Sequence, residues 1–336
     1  MSSIVVNKNH TSTWKQISES NSPDHLLATN PPPNARYIDK VWAAALKKYT
    51  SIQLTFGASF WIHTGVYWSC GLSLLAFEFL SARSKALKTQ PRRAVTMREL
   101  TKLFRRVIGN QVLLYAFYSV IKYFKPKPLV IELDKQCQRP PPSYLRIAGD
   151  YMFNLGVFEV VFYVFHRTLH DQRWYKHVHK IHHQFKAPIG LAAEYAHIVE
   201  LFLSNIVPGA IGPALSNAHP VSTMVWLVGS IIQTCFHHSG LMLPFYPLNQ
   251  WTIAHDWHHK AFMDQFGVVG LMDGALGTTG DESYTEFSSE IWKRTSGTMQ
   301  PAISNMVRVA TMATMAILKK KAHLSMPSNL FQLVVR

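Results

Sequence analysis

The chain has 336 residues, of which 48% are hydrophobic and only 16% charged, with a formal charge of +15. The length suits one or two domains, and the scarcity of charge leans away from the soluble average towards a membrane protein. The basic excess alone would fit nucleic acid. Lysines and arginines gather beside apolar runs, however, which turns the reading from nucleic acid to a bilayer. Three scattered cysteines, Cys70, Cys137 and Cys235, with no CxxC, argue against a disulfide framework or a thiolate zinc site.

Residues 1–50 form a polar tail containing Pro31-Pro32-Pro33 and do not read as a cleaved signal peptide. Ile52 to Leu80 is apolar, closes near Glu78, and is long enough to cross a bilayer. Val107 to Phe124 is a second such run, so residues 51–124 read as a first transmembrane pair. The loop inside that pair carries Arg83, Lys85, Lys88, Arg92, Arg93, Arg98, Lys102, Arg105 and Arg106 against the single acid Glu99. Such an excess in a short loop marks the cytosolic side. On that rule the tail, with its Asn9-His10-Thr11 glycosylation acceptor, lies in the lumen.

Ile147 to Phe165 is a third apolar run. Two arms follow, Val199 to Leu215 and Val221 to Phe236, with Gly212-Pro213 and His219-Pro220 punctuating the turn between them. Residues 166–198 and 237–290 are polar and rich in His, Trp and Gly. Residues 147–288 therefore read as one catalytic domain. In the remaining 289–336, Pro301 to Leu318 is interrupted by Arg308 and followed by three lysines, which reads as an interfacial helix. The whole is an all-α, multi-span membrane protein with a cytosol-facing, histidine-clustered metal-binding cap.

Three histidine groups carry the chemistry. His166 and His170 form an HxxxH; His179, His182 and His183 form an HxxHH; His255, His258 and His259 form a second HxxHH. Residues i, i+3 and i+4 share a helical face, so each group can aim its imidazoles at one point. Eight imidazoles exceed the needs of one ion and suit two. Ligand type alone leaves Zn, Cu, Fe and Ni open. The HExxH of zinc hydrolases is absent, and two redox metals beside lipid suit O2 activation. His238 and His197 stand as further ligands. Glu159 lies seven residues before His166 and eleven before His170, on the same helical face inside an apolar run. Asp256 and Glu194 read as acceptors for the N–H of ligating imidazoles. Two non-enzymatic readings also fit: a metal transporter with histidine loops, and an inactive lipid-binding relative.

The order HxxxH, HxxHH, HxxHH resembles the fatty acid hydroxylase/sterol desaturase superfamily. Finer matches are Glu159 with Phe162-Tyr163 before His166-Arg167, the run from His179 to Pro188, Glu194 to His197 with Glu200, His238-Ser239-Gly240, and Phe266-Gly267 with Asp273, Gly277 and Thr278. The combination is most similar to the C-4 methylsterol oxidase branch, although Ile198 and Leu241 depart from that branch's pattern. The resemblance implies two iron ions and a sterol-like lipid substrate. It implies electrons from NAD(P)H through cytochrome b5 or an equivalent, and a place in the endoplasmic reticulum membrane. It also implies catalytic roles for Glu159, Tyr163 and Asp256. Within enzymes the alternative is a hydroxylase or desaturase of a fatty acyl, sphingoid or terpenoid lipid.

Overall fold

The computed structural model describes residues 30–91, 95–244 and 246–299. Asn9 and the 301–318 run lie outside them. Among the described residues the chain is helical, and the only β pairing is the isolated bridge between Lys88 and Leu241.

Helix α1 (Tyr37–Lys48) precedes a π-helical turn (Gln53–Gly57) that continues into α2 (Ala58–Leu80). Helix α3 (Met97–Phe124) begins ten residues before the apolar run does. Its start is set by a capping box, in which Thr96 and Glu99 satisfy each other's backbone N–H. Helix α4 (Lys127–Gln138) was not expected; it lies in a stretch whose apolar positions are broken by Glu132 and Asp134. Pro140-Pro141-Pro142 then ends helical structure. Ser143 caps α5 (Tyr144–Leu169) by accepting from the Arg146 amide at 3.2 Å.

The first arm is composite: Ile198–Glu200, a π-helical segment (Leu201–Ile206), and α6 (Val207–Leu215). The second is α7 (Pro220–Ser239). Helix α8 (Asn249–Ala261) carries the last histidine motif, α9 (Leu271–Leu276) follows a tight loop, and a final helix, α10, occupies residues 282–299.

Helix α7 packs chiefly on α2, and α6 chiefly on α5. Where α6 crosses α5, Gly212 lies so close that a Cβ there would come 2.9 Å from the Asn154 Cα. The buried stripe of α5 is polar, with Asp150, Asn154, Glu159 and His166 below 5% exposure, while Met152, Phe153, Val160 and Val164 face outward. Helix α3 likewise turns Ile108, Val112 and Val120 outward. A helix polar inside and apolar outside suits lipid surroundings, where a water-facing surface would reverse it. Helix Tyr144–Leu169 and the arm Ile198–Leu215 are long and apolar enough to cross a membrane.

One member of the basic loop does not face solvent. Lys88 is buried, pairs with Glu78 at 2.8 Å and donates to the Ser239 carbonyl at 2.8 Å. The strand-like contacts Thr89 N–H to Gly240 O and Met242 N–H to Leu87 O tie the same loop to the end of α7. Gly240 sits there at φ +59°, a left-handed conformation that closes α7.

Candidate metal centre

The histidines converge in two groups. His166, His170, His179, His183 and His258 place one ring nitrogen each within 4.8 Å of one another; so do His182, His238, His255 and His259. Nine of the ten expected ligands are in these groups. His197 is not. It caps the first arm, where its Nδ1 accepts from the Val199 amide at 3.2 Å. His237, next to His238, is also in neither group.

The motifs do not each serve one point. In both HxxHH motifs the i,i+4 pair goes to one group and the i+3 histidine to the other: His179 and His183 stand apart from His182, and His255 and His259 from His258. The HxxxH pair, His166 and His170, stays together. The expectation that each motif aims at a single point is thus corrected. On the α-helix that carries His255, His258 and His259, positions i and i+4 lie close together while i+3 falls on the other side of the common face; His179–Gln184 is a 3-10 helix, where that spacing does not hold and the surrounding packing sets the partition. Each HxxHH therefore bridges the two groups and fixes their separation.

The rings are held from behind. His166 Nδ1 donates to the Phe266 carbonyl at 2.7 Å, His258 Nδ1 to Asp264 O at 2.7 Å, His238 Nδ1 to Thr234 O at 2.8 Å, and His182 Nδ1 to Tyr195 O at 3.3 Å. His179 Nδ1 meets Glu200 Oε1 at 2.8 Å. A carbonyl only accepts, so these Nδ1 atoms carry the proton and leave each Nε2 as a bare lone pair. Those Nε2 atoms face one another at 3.1 Å in His166–His179 and 3.3 Å in His238–His182, and His258 Nε2 lies 3.2 Å from His183 Nε2; His255 and His259, whose Nδ1 atoms have no such bond among the described residues, bring their Nε2 atoms to 3.1 Å. Opposed lone pairs repel unless a cation lies between them. Ligands ~2.1 Å from an ion stand roughly 3.0–3.4 Å apart at octahedral or tetrahedral angles, which is this spacing. The donor set fits two metal ions.

Burial keeps the imidazoles neutral, the form that binds metal. It pushes His179 down to about 3 and His182 to about 4, and holds His183, His255, His258 and His259 well below the ordinary 6.5, with the neighbouring rings adding to the effect in all of these but His179.

The carboxylates divide differently from the sequence reading. Glu159 Oε2 accepts from the Val268 and Val269 amides at 2.7 and 2.9 Å, and Oε1 from Met272 at 3.0 Å. It therefore grips the 266–272 loop, whose Phe266 carbonyl holds His166. Tyr163 shares a 3.0 Å hydrogen bond with Thr278 and accepts one from Arg167. Asp256 accepts from Gln90 at 2.9 Å, and its burial pushes it up to about 6. No hydrogen bond of these three reaches an imidazole among the described residues. The carboxylate that reaches an imidazole of the two groups is Glu200, which motif spacing alone had not singled out, while Glu194 pairs with His63 at 2.9 Å, outside both groups. The signal for Glu200 is a carboxylate between Ile198-Val199 and Leu201-Phe202, an acid without reason inside an apolar run. Asp273, named only through the family resemblance and with no role assigned, accepts from the Phe266 and Gly267 amides at 2.8 and 2.7 Å. Both carboxylates crowd Gly267, where a Cβ would meet Glu159 Oε1 at 2.5 Å and Asp273 Oδ2 at 2.7 Å.

A cavity of about 980 Å³ opens against this centre. Its near end includes His166, His179, His182, His238 and His255, and its far end Leu54, Phe60, Leu113 and Phe117. Such a volume takes a lipid-sized molecule.

The family model described as fatty acid hydroxylase matches residues 151–278. A fatty acid hydroxylase of Mycosarcoma maydis is 32% identical over 241 residues, covering 69% of this chain and 61% of that protein. A very-long-chain aldehyde decarbonylase of Oryza sativa subsp. indica is 29% identical over 256 residues, covering 74% and 94%. Methylsterol monooxygenase 2-2 of Arabidopsis thaliana is 28% identical over 262 residues, again covering 74% and 94%. This chain thus spans less than two thirds of the Mycosarcoma protein's length. No solved structure matches it. The matched stretch, residues 151–278, holds all nine converging histidines and is that of a fatty acid hydroxylase domain.

Proposed function

We propose that this chain is a membrane-bound di-iron oxygenase that oxidises a C–H bond of a lipid with O2, its substrate a sterol attacked at a C-4 methyl group. The observation that carries the oxygenase reading is the junction of two all-imidazole groups with one end of a largely apolar cavity. His166, His170, His179, His183 and His258 would hold one ion, and His182, His238, His255 and His259 the other. Iron bound there supplies O2 activation, with electrons drawn from NAD(P)H through cytochrome b5 or an equivalent donor.

The protein's own residues do the rest. The carbonyls of Phe266, Asp264, Thr234 and Tyr195 and the Glu200 carboxylate fix ring tautomers and orientations, so the donors need no rearrangement. Phe158, Phe162, Trp226 and Leu227 wall the cavity, exclude water and present the substrate carbon to the near end. Glu159, Tyr163 and Asp256 act by bracing the loops that carry the centre, and His197 by capping the first arm. On this reading the protein sits in the endoplasmic reticulum membrane with its histidine cap facing the cytosol, where a soluble donor domain can dock; the two long apolar helices support the membrane part of it.

The sterol reading is supported by the similarity to a methylsterol monooxygenase over most of that relative's length and by the His179-to-Glu200 stretch. Similarity to a fatty acid hydroxylase and an aldehyde decarbonylase supports the second reading, an acyl-lipid oxygenase. Lipid profiling of a strain lacking the gene separates them. The proposal expects 4-methylsterols to accumulate; unchanged sterols with altered hydroxylated acyl chains would move the assignment to the second reading.

A further inference from the structure

Four side-chain atoms of residues lining the cavity are buried and have no hydrogen-bond partner among the described residues: Glu200 Oε2, Ser204 Oγ, Gln233 Nε2 and His237 Nε2. They fall into two i,i+4 pairs, Glu200 with Ser204 on the first arm and Gln233 with His237 on α7. The other oxygen of Glu200 holds His179, and the His237 ring lies 6.4 Å from that of His255. One pair member thus borders each histidine group. The first arm leaves the histidine end and α7 returns to it, so Ser204 and Gln233 both stand one turn, ~5 Å, further out. Ser204 sits within the π-helical segment Leu201–Ile206, and such segments recur at functional sites. Nearby lining residues such as Phe202, Ile206, Trp226 and Leu227 are apolar. Leaving a buried polar group unpaired is costly, so four around one cavity need a partner that the described residues do not provide.

We propose that Ser204 and Gln233 form a subsite for an oxygen function of the substrate itself, a hydroxyl or carbonyl lying a few bonds from the carbon that is oxidised. Gln233 donates its amide N–H to that oxygen. Ser204 takes the hydroxyl proton where there is one, or donates to a carbonyl. Glu200 and His237 line the passage between this subsite and the metal groups. The substrate is accordingly an amphiphile anchored near its reactive carbon, and a plain hydrocarbon of the same shape is a poor ligand. This rests on the reading that the cavity holds the lipid substrate.

The test is equilibrium binding to the full chain in lipid nanodiscs, with two ligand pairs: a 4-methylsterol against its 3-deoxy counterpart, and hexadecanol against hexadecane. The wild type is expected to prefer the oxygenated member of at least one pair by about tenfold or more, the worth of a buried hydrogen bond. In S204A/Q233L that preference should fall to about twofold or less, with hydrocarbon affinity and metal content unchanged. A preference confined to the chain pair keeps the subsite and removes the sterol reading. Equal affinities in the wild type, no binding of either pair, a preference surviving in the double variant, or equal weakening of both members would overturn the subsite.

Discussion

Glu200 shows how one side chain can control a site it does not complete. Its carboxylate fixes the ring of His179, whose Nε2 approaches those of His166, His170 and His183 at 3.1, 2.9 and 3.0 Å. Glu200→Ala should therefore lower metal affinity by about 10–100-fold, as losing such outer partners does elsewhere. Chelator competition on purified protein measures this, and an unchanged affinity would remove the orienting role. Protonation gives a second handle. His179 and His182 are held near 3 and 4 in the folded chain, while the unfolded chain takes up protons below about 6.5. Folding stability is thus fully present above pH 6.5 and falls as pH drops below it, by up to about 1.4 kcal/mol per unit for each such ring. Asp256, pushed up to about 6, works in the opposite sense, but one carboxyl stands against a cluster of imidazoles. Thermal unfolding followed from pH 7.5 to 5 should show a steep loss of midpoint, and a flat profile would contradict burial of neutral rings.

The loop between α8 and α9 carries much of the precision. Phe262 and Gln265 both adopt positive φ, +71° and +57°, conformations costly for side chains of their size. That path points the Asp264 and Phe266 carbonyls at His258 and His166. Gly267 lets Glu159 and Asp273 grip the loop from two sides. Gly267→Ala should displace the loop, cost about 1–3 kcal/mol of stability, and lower metal content along with turnover. A variant with unchanged unfolding temperature and metal content would show that the loop has room to spare. Little of this was legible beforehand. The histidine order announced eight of the nine converging imidazoles because chemistry-bearing residues in a fixed register survive without knowledge of packing. The α2, α5 and α7 helices were legible as apolar runs for the same reason. The partition of each HxxHH between two groups was not, because it depends on where neighbouring helices place their rings. Nor was α4 legible, since its mixed face signals neither a span nor a soluble helix. Glu159, Tyr163 and Asp256 were drawn towards chemistry by their neighbours in sequence; their hydrogen bonds are with the loops around the centre.

At the scale of the molecule, the outward apolar faces of α3 and α5, together with the polar side chains that α5 buries, describe helices suited to lipid surroundings. The proposed topology puts the basic residues between α2 and α3 and the histidine motifs on one side of the bilayer, the cytosolic side. Protease treatment of intact microsomes should cut epitopes placed near Arg98 and near Lys260 and spare an N-terminal tag. Digestion of all three would mean that the run from Ile52 to Leu80 does not cross, and that there is one span fewer.

Everything above converges on two metal ions held by imidazole alone. Elemental analysis of purified, catalytically active protein tests it most directly. Two irons per chain are expected, with turnover abolished and iron content reduced in His182→Ala and in His258→Ala, one drawn from each group. A single iron per active chain, or turnover surviving both substitutions, would contradict it.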